Sequence, residues 1–184
     1  MKVEAFSYFA VDDPVDWQFD CPICWSRIYE YPFVISQLRG SVHNTSWGFE
    51  GVHVTFKNWL DANVDDVVHS DLKPSGGEVW DITTPPRDEW LGRFDTLISI
   101  STLEEVRGNH AAIIRDHFLP QLKPGGRAVI TFDAPGFQLR QVEELVGQKI
   151  ARPENVMTPQ NSPRPDVKWD LGEWYWVGYL VLEV

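Results

Sequence analysis

The order of apolar and polar residues predicts alternating strands and helices along most of the chain. Two short apolar runs, FDTLISIS at 94–101 and RAVITFD at 127–133, are rich in Ile, Val and Thr, which is typical of strands buried on both faces of a sheet. Residues 111–122 have apolar positions at helical spacing, and the KPGG sequence at 123–126 then ends the helix. Strand, helix and strand in this order predict a βαβ unit with parallel strands.

Periodicity predicts further elements on both sides of this unit. Helices with one apolar face are predicted at 25–39, 52–62 and 137–146. Strands are predicted at 3–11, 65–71, 78–83 and 174–184, the first as a sheet edge or a hairpin arm. Pro32 should kink the first helix or start a second segment, while 72–77 is too short and too rich in Gly and Pro for a helix. The whole pattern is that of an α/β protein.

Length and charge narrow the class of protein. The 184 residues suffice for one domain with a sizeable core but hardly for two. A net charge of −11 without a Lys/Arg cluster would repel a nucleic-acid backbone, so no nucleic-acid partner is expected. No apolar run approaches the roughly 20 residues that span a bilayer, and the N-terminus is too acidic for a signal peptide. We therefore expect a soluble, cytoplasmic protein that does not bind membranes.

The two cysteines, Cys21 and Cys24, form a CPIC motif, a spacing that redox pairs and zinc sites both use. No second CxxC or HxxxH follows in the sequence to supply the two further ligands of a zinc site, so no metal is expected. A redox pair would open a helix after a strand, and nothing else in the sequence supports that context. The interpretation that we favour is two ordinary reduced thiols.

The stretches 94–106 and 122–133 resemble the region around the fourth and fifth strands of the class I S-adenosylmethionine (SAM)-dependent methyltransferases. The shared features are an FD dipeptide before the first strand, a serine at its end, LEEV shortly after it, and LKPGG before the second strand. The LKPGG turn is fairly specific in this context, whereas alone it would indicate only the end of a helix. The resemblance covers roughly residues 25–135 and, more weakly, the C-terminal strand.

The resemblance implies a Rossmann-like, doubly wound sheet of about seven strands. The sheet would be mostly parallel, with an antiparallel C-terminal strand and helices on both faces. One methyltransferase-like domain would span 1–184, with 1–24 as an N-terminal extension and 151–170 as an irregular loop that shapes an acceptor site. The resemblance also implies SAM as the cofactor.

The family's glycine-rich turn, where the backbone approaches SAM, falls here on an altered sequence. Asn44 stands where the family usually has an acid, Ser46 stands at the first glycine position and Gly48 at the second. Glu50 stands at the third, with Gly51 one residue later. Either the small residues still allow SAM to approach, or the segment is a tight strand-to-helix turn without a ligand.

Other cofactor contacts are implied by position in the family's pattern. Asp71 ends a predicted strand and would accept hydrogen bonds from the ribose hydroxyls; the alternative is a solvated turn aspartate. Asp81 would lie near the adenine amino group, with Ile82 and Trp80 beside the ring. The family's helix before this point is missing, so the adenine pocket would be shallower or rebuilt by neighbouring residues. Ser101 ends the next strand at the carboxyl edge, where open α/β sheets bind ligands.

Glu105 and His110 are the titratable candidates for a general base near this edge. A base can assist methyl transfer to a hydroxyl or amine, and histidine suits this role near neutral pH. Methyl transfer can also proceed by positioning alone. The alternative for His110, which starts a predicted helix, is an ordinary surface or capping role.

Three functions follow from these observations. The first is SAM-dependent methyl transfer to a small-molecule or carbohydrate-like (glycan) acceptor. The second is a noncatalytic protein of the same fold that serves as a binding or scaffold module. An NAD-dependent enzyme is the weakest, because the sequence has no G-x-G-x-x-G motif. Homo-oligomerisation is left open.

Overall fold

The structure, a computed structural model, describes residues 1–15, 19, 26–46, 52–73, 77–134, 136–161 and 176–184. The strands are β1 (Lys2–Tyr8), β2 (Val42–Thr45), β3 (Val67–Asp71), β4 (Glu78–Val79), β5 (Phe94–Ile100), β6 (Leu122–Ala134) and β7 (Trp176–Glu183). The α-helices are α1 (Arg27–Gln37), α2 (Val52–Asn63), α3 (His110–Ile113) and α4 (Leu139–Val146). Cys21 and Cys24 lie outside the described residues.

The seven strands form one sheet in the order β1-β7-β6-β5-β2-β3-β4. Strands β2 to β6 pair in parallel, whereas β7 is antiparallel to both β6 and β1. From β2 the chain winds outward through β3 and β4 and then crosses to β5 and β6 on the other side. The carboxyl ends of β2 and β5 therefore flank the point where the strand order reverses, which is where such sheets bind ligands.

Helices cover both faces of the sheet, as predicted. Side chains along β6 alternate between the faces: Ala128, Ile130 and Phe132 belong to one core cluster, and Val129 belongs to another. The first cluster also contains apolar residues of α3, α4 and the turns that follow α3. The second contains residues of α1 and α2, where the rings of Tyr31 and Phe56 stack at 4.2 Å. The predicted α/β fold class is confirmed.

The segment predicted as one helix at 111–122 changes its hydrogen bonding along its length. Helix α3 ends at Ile113, a π-helical turn spans Ile114–Phe118, and a 3₁₀ turn spans Leu119–Gln121. Pro120 has no N–H to continue the α-helical ladder, which accounts for the altered turns.

The LKPGG sequence lies inside β6 rather than in a helix cap. Phe94 pairs with Leu122, but Thr96 pairs with Arg127, so β6 has three more residues than β5 between these two pairs. Gly125 has a positive φ of 78°, which glycine tolerates without strain. The motif therefore forms a bulge that precedes the regular parallel ladder.

Two other elements differ from the predicted pattern. The strand predicted at 78–83 stops at Val79, because the Asp81 carboxylate accepts hydrogen bonds from the Thr83 N–H and hydroxyl and turns the chain. Of the two alternatives predicted at Pro32, the start of a second segment is wrong, because helix α1 continues through this residue. No helix in the described part of the chain is long and apolar enough to cross a bilayer.

The N-terminal strand completes the sheet. Residues Lys2–Tyr8 of the predicted N-terminal extension form β1, which pairs antiparallel with β7 at the sheet edge. Strand β1 and the following Phe9 hold the 151–161 part of the predicted loop against the sheet, since the Ala151 N–H donates to the Phe6 carbonyl and the Met157 N–H donates to the Phe9 carbonyl.

Candidate functional site

A cleft of about 740 Å³ lies at the carboxyl ends of β2, β3 and β5. Among the described residues, its lining includes six that the sequence singled out: Ser46, Asp71, Asp81, Ile82, Ser101 and Glu105. Buried Trp80, expected beside an adenine ring, also lines it. The fold thus brings together residues that are up to 59 positions apart in the sequence, from Ser46 to Glu105. Gly48 and Gly51 lie outside the described residues.

Asn44 does not line the cleft. Its side chain is 2% exposed, and its amide donates to His69 Nδ1 at 3.1 Å. His69 Nε2 in turn lies 2.9 Å from a carboxylate oxygen of Asp61 on α2. Asn44 therefore ties β2 to β3 and α2, a structural role that its place in the sequence pattern does not reveal.

His110 also lies away from the cleft, in the core. It is 1% exposed, its Nδ1 accepts from the Gln138 N–H at 3.1 Å, and its Nε2 is 3.1 Å from the Val106 carbonyl. Burial lowers the pKa of His110, which keeps the ring neutral. With both ring nitrogens engaged, His110 is placed to join α3 to the start of α4 rather than to accept a substrate proton.

Two strained residues line the cleft. Ser46 (φ 55°) and Ser101 (φ 40°) are the non-glycine residues with positive φ in the described part of the chain. The Ser46 N–H donates to the Ser70 carbonyl at 2.7 Å, which fixes the turn after β2 against β3. Such conformations persist where the surroundings impose them and concentrate at functional sites. The first position of the altered glycine turn thus keeps a backbone conformation that favours glycine.

The wall formed by β3 and the residues after β4 is held by hydrogen bonds that each involve a backbone group. The Trp80 N–H donates to the Asp71 carbonyl at 2.9 Å, and the Lys73 N–H donates to the Asp71 carboxylate at 3.2 Å. The Ile82 carbonyl accepts from His117 Nδ1 at 2.8 Å. A carboxylate, an indole and an aliphatic side chain therefore line one part of the cleft.

Solved structures of similar fold include a SAM-dependent methyltransferase from Mesorhizobium loti, 16% identical over 84% of this chain and 97% of that chain, with a TM-score of 0.52. A TehB-like SAM-dependent methyltransferase from Corynebacterium glutamicum is 14% identical over 82% and 85%, with a TM-score of 0.53. The [4+2]-cyclase SpnF is 12% identical over 99% and 87%, with a TM-score of 0.57. No protein-family model and no curated protein matches the sequence.

The protein has the fold of the class I SAM-dependent methyltransferases. The likeness concerns architecture, and the cyclase among the similar structures illustrates that one fold can carry different reactions. The function of this protein therefore depends on the residues that line its cleft.

The methyltransferase-like fold contains a buried ion pair that the sequence pattern did not single out. Arg27 and Glu30 of α1 form a salt bridge between Arg27 Nη1 and Glu30 Oε2. The Glu30 side chain is 0% exposed and accepts from the Ser101 hydroxyl at 2.6 Å. Of the two residues, Arg27 lines the cleft. The available signal was two opposite charges three positions apart in an otherwise apolar helix.

A second buried carboxyl lies beside the cleft. Glu104, in the 3₁₀ turn Leu103–Glu105, turns towards the end of β6, where its Oε1 accepts from the Asp133 N–H at 3.1 Å. Burial and the nearby Asp133 carboxylate raise the pKa of Glu104 to about 9. By contrast, although burial opposes ionisation of Glu30, Arg27 and three hydroxyl donors outweigh it and lower the pKa of Glu30. At neutral pH Glu30 is therefore ionised and Glu104 is protonated.

Proposed function

We propose that the cleft binds SAM and that the protein transfers its methyl group to a small-molecule or carbohydrate-like acceptor. The observation that carries the proposal is the convergence, at the point where the strand order reverses, of two strained turns and a strand-terminal carboxylate. These are Ser46, Ser101 and Asp71. The cleft volume of about 740 Å³ also lies within the usual range for small-molecule sites.

The lining residues fit the parts of this cofactor. The Asp71 carboxylate suits a pair of ribose hydroxyls, since it can accept two hydrogen bonds. Trp80 and Ile82 provide the apolar surface that an adenine ring requires. Ser46 and Ser101 lie at the strand ends where the backbone is shaped for close approach of a ligand. Bound SAM supplies a methyl carbon made electrophilic by its sulfonium.

The residues of the chain would contribute mainly orientation and exclusion of water. Glu105 is exposed at the cleft and remains the candidate to take a proton from the acceptor. His110 is not included in this proposal because of its buried position. A methyl acceptor with a deprotonated or intrinsically nucleophilic group would need positioning alone.

The first test is calorimetric titration with SAM and with its demethylated product. We expect micromolar binding of both ligands to the wild-type protein. Asp71→Ala should weaken SAM binding by roughly 10- to 100-fold, the loss expected for hydrogen bonds to a charged group. Asp65→Ala is the matched control, because Asp65 is an exposed aspartate just before the opposite end of β3. It should leave binding unchanged.

Absence of binding at millimolar ligand would contradict the proposal and favour the noncatalytic alternative. Equal weakening by Asp71→Ala and Asp65→Ala would contradict the assignment of the ribose site. If SAM binds as expected, formation of the demethylated product in the presence of hydroxyl- and amine-bearing acceptors is the measurement that identifies the acceptor.

A further inference from the structure

The salt bridge between Arg27 and Glu30 is unusual for its burial. The two side chains are 9% and 0% exposed. Removing two charges from water carries a penalty that their attraction repays only with good additional hydrogen bonding. An apolar pair would fill this helix face without that penalty. The buried salt bridge therefore indicates a role other than stability.

Glu30 connects helix α1, the end of β5 and strand β6. One of its oxygens accepts from the hydroxyls of Ser101, at the end of β5, and of Thr131 in β6. Its other oxygen binds Arg27. Because Ser101 has the strained positive φ, this hydrogen bond helps to hold the strained turn in place. A single buried carboxylate thus fixes the positions of two cleft-lining residues, Arg27 and Ser101.

Arg27 differs from the other cations at the cleft. Three basic residues occur among the described lining residues: Arg27 is buried, whereas Lys73 and Arg107 are exposed. A buried guanidinium interacts with a ligand charge more strongly than a solvated one, because water screens it less. Its bond to Glu30, which in turn accepts from the Ser101 hydroxyl, places it at the β5 side of the cleft.

We propose that Arg27 binds the α-carboxylate of the methionine part of SAM and that Glu30 is the positioning residue that holds Arg27 for this contact. The inference rests on the proposed function and adds a residue-level assignment to it. A guanidinium has five N–H donors in a planar fork, so it can bind Glu30 and a ligand carboxylate at the same time. Glu30 also compensates the charge of Arg27 in the free protein.

Decarboxylated SAM tests the assignment, because it lacks the carboxylate and keeps the adenosine and the sulfonium. The wild-type protein should bind SAM more tightly than decarboxylated SAM by roughly 10- to 100-fold in calorimetry. Arg27→Gln should weaken SAM binding by that factor and leave decarboxylated SAM within about threefold of wild type, so that the preference disappears. Arg27→Lys should keep part of the preference, since the charge remains but the fork is lost.

Arg27→Gln leaves Glu30 as a buried charge without its cation, which threatens folding. The double variant Arg27→Gln/Glu30→Gln removes both charges and should show the same loss of preference in a protein that unfolds cooperatively. Glu30→Gln alone tests the positioning role: it retains Arg27 and should reduce the preference for SAM. Arg140→Gln, which removes an exposed cation of α4 outside the cleft lining, should preserve it.

These binding measurements distinguish an incorrect role of Arg27 from an incorrect proposed function. Equal wild-type affinity for SAM and decarboxylated SAM would overturn the role of Arg27 while leaving the SAM site intact. Parallel loss of both ligands in the folded double variant would also overturn it, because that result indicates general damage to the cleft. A full preference in Glu30→Gln would overturn the positioning role. A wild-type protein that binds neither ligand would overturn the proposed function and this inference together.

Discussion

Ser46 and Ser101 share a left-handed backbone conformation, but the Ser101 hydroxyl donates to a buried carboxylate. Replacing each with glycine should therefore have different consequences. Glycine relieves roughly 1–2 kcal/mol of backbone strain and costs roughly 0.4–1 kcal/mol through the more flexible unfolded chain. Ser46→Gly should thus raise the free energy of unfolding by up to about 1.6 kcal/mol. Ser101→Gly should lower it by about 1–2 kcal/mol, because a bond to Glu30 is also lost.

Urea unfolding of the two variants measures this contrast. Ser101→Ala removes the hydroxyl while keeping Cβ, so it isolates the hydrogen bond and should destabilise the protein more than Ser101→Gly. A Ser101→Ala protein as stable as wild type would show that the bond to Glu30 contributes nothing.

The sequence indicates which residues reach the carboxyl edge of the sheet but not the direction of their side chains. Asp71 and Ser101 meet in the cleft because they end parallel strands. Asn44 is also in a strand that ends at this edge, yet its side chain points to α2 and bonds to His69. Glu30 looks like an exposed helix residue in the sequence, and its burial depends on the contact of α1 with β5 and β6. Burial of that kind arises from tertiary packing, which periodicity does not encode.

The bulge at the start of β6 is held by a carboxylate of the neighbouring strand. Asp95 accepts from the Ser41 N–H at 2.9 Å, from the Ser41 hydroxyl at 2.8 Å and from Lys123 Nζ at 2.6 Å. The Lys123 pair is well exposed to solvent, so the Ser41 bonds should matter more. Asp95→Ala should cost about 1–3 kcal/mol of unfolding free energy, and Lys123→Met less than about 1 kcal/mol.

Thermal and urea unfolding provide the comparison. Asp66→Ala is the control, because Asp66 forms an exposed ion pair with Arg93 and should change stability by less than about 1 kcal/mol. A larger loss from Lys123→Met than from Asp95→Ala would contradict the assigned order of contributions.

Elements with strong periodicity were predictable from the sequence, and their connections were less so. The spacing of apolar residues predicted the strands and helices around the βαβ unit, and the resemblance predicted the antiparallel final strand. The LKPGG motif was predicted to end a helix, but its place in a bulge depends on the register between β5 and β6. Register is a relation between two strands, so one stretch of sequence cannot specify it. The short β4 likewise reflects the side-chain turn at Asp81.

At the scale of the whole molecule, two buried groups give stability opposite dependences on pH. His43 donates from Nδ1 to Gln121 and accepts at Nε2 from Ser70, at 2.7 and 2.8 Å. Burial lowers its pKa from 6.5 to about 3, so between these values the unfolded chain binds the extra proton and stability rises with pH. Glu104 has the reverse effect, because its pKa is raised from 4.5 to about 9. The folded protein then binds the extra proton, and stability falls as pH rises between those values.

The two effects cancel where their ranges overlap. Together these two groups predict a plateau between pH 4.5 and 6.5, which the lowered pKa values of His69 and His110 tilt upward towards pH 6.5. Each group contributes up to about 1.4 kcal/mol per pH unit to the losses on either side. Asp95 and Glu30, whose pKa values are lowered, steepen the acid side. Glu104→Gln mimics the protonated acid and should flatten the alkaline side, so that the variant gains stability over wild type at pH 8. Urea unfolding from pH 3 to 9 measures the profile, and an unchanged alkaline slope in Glu104→Gln would show that another group causes it.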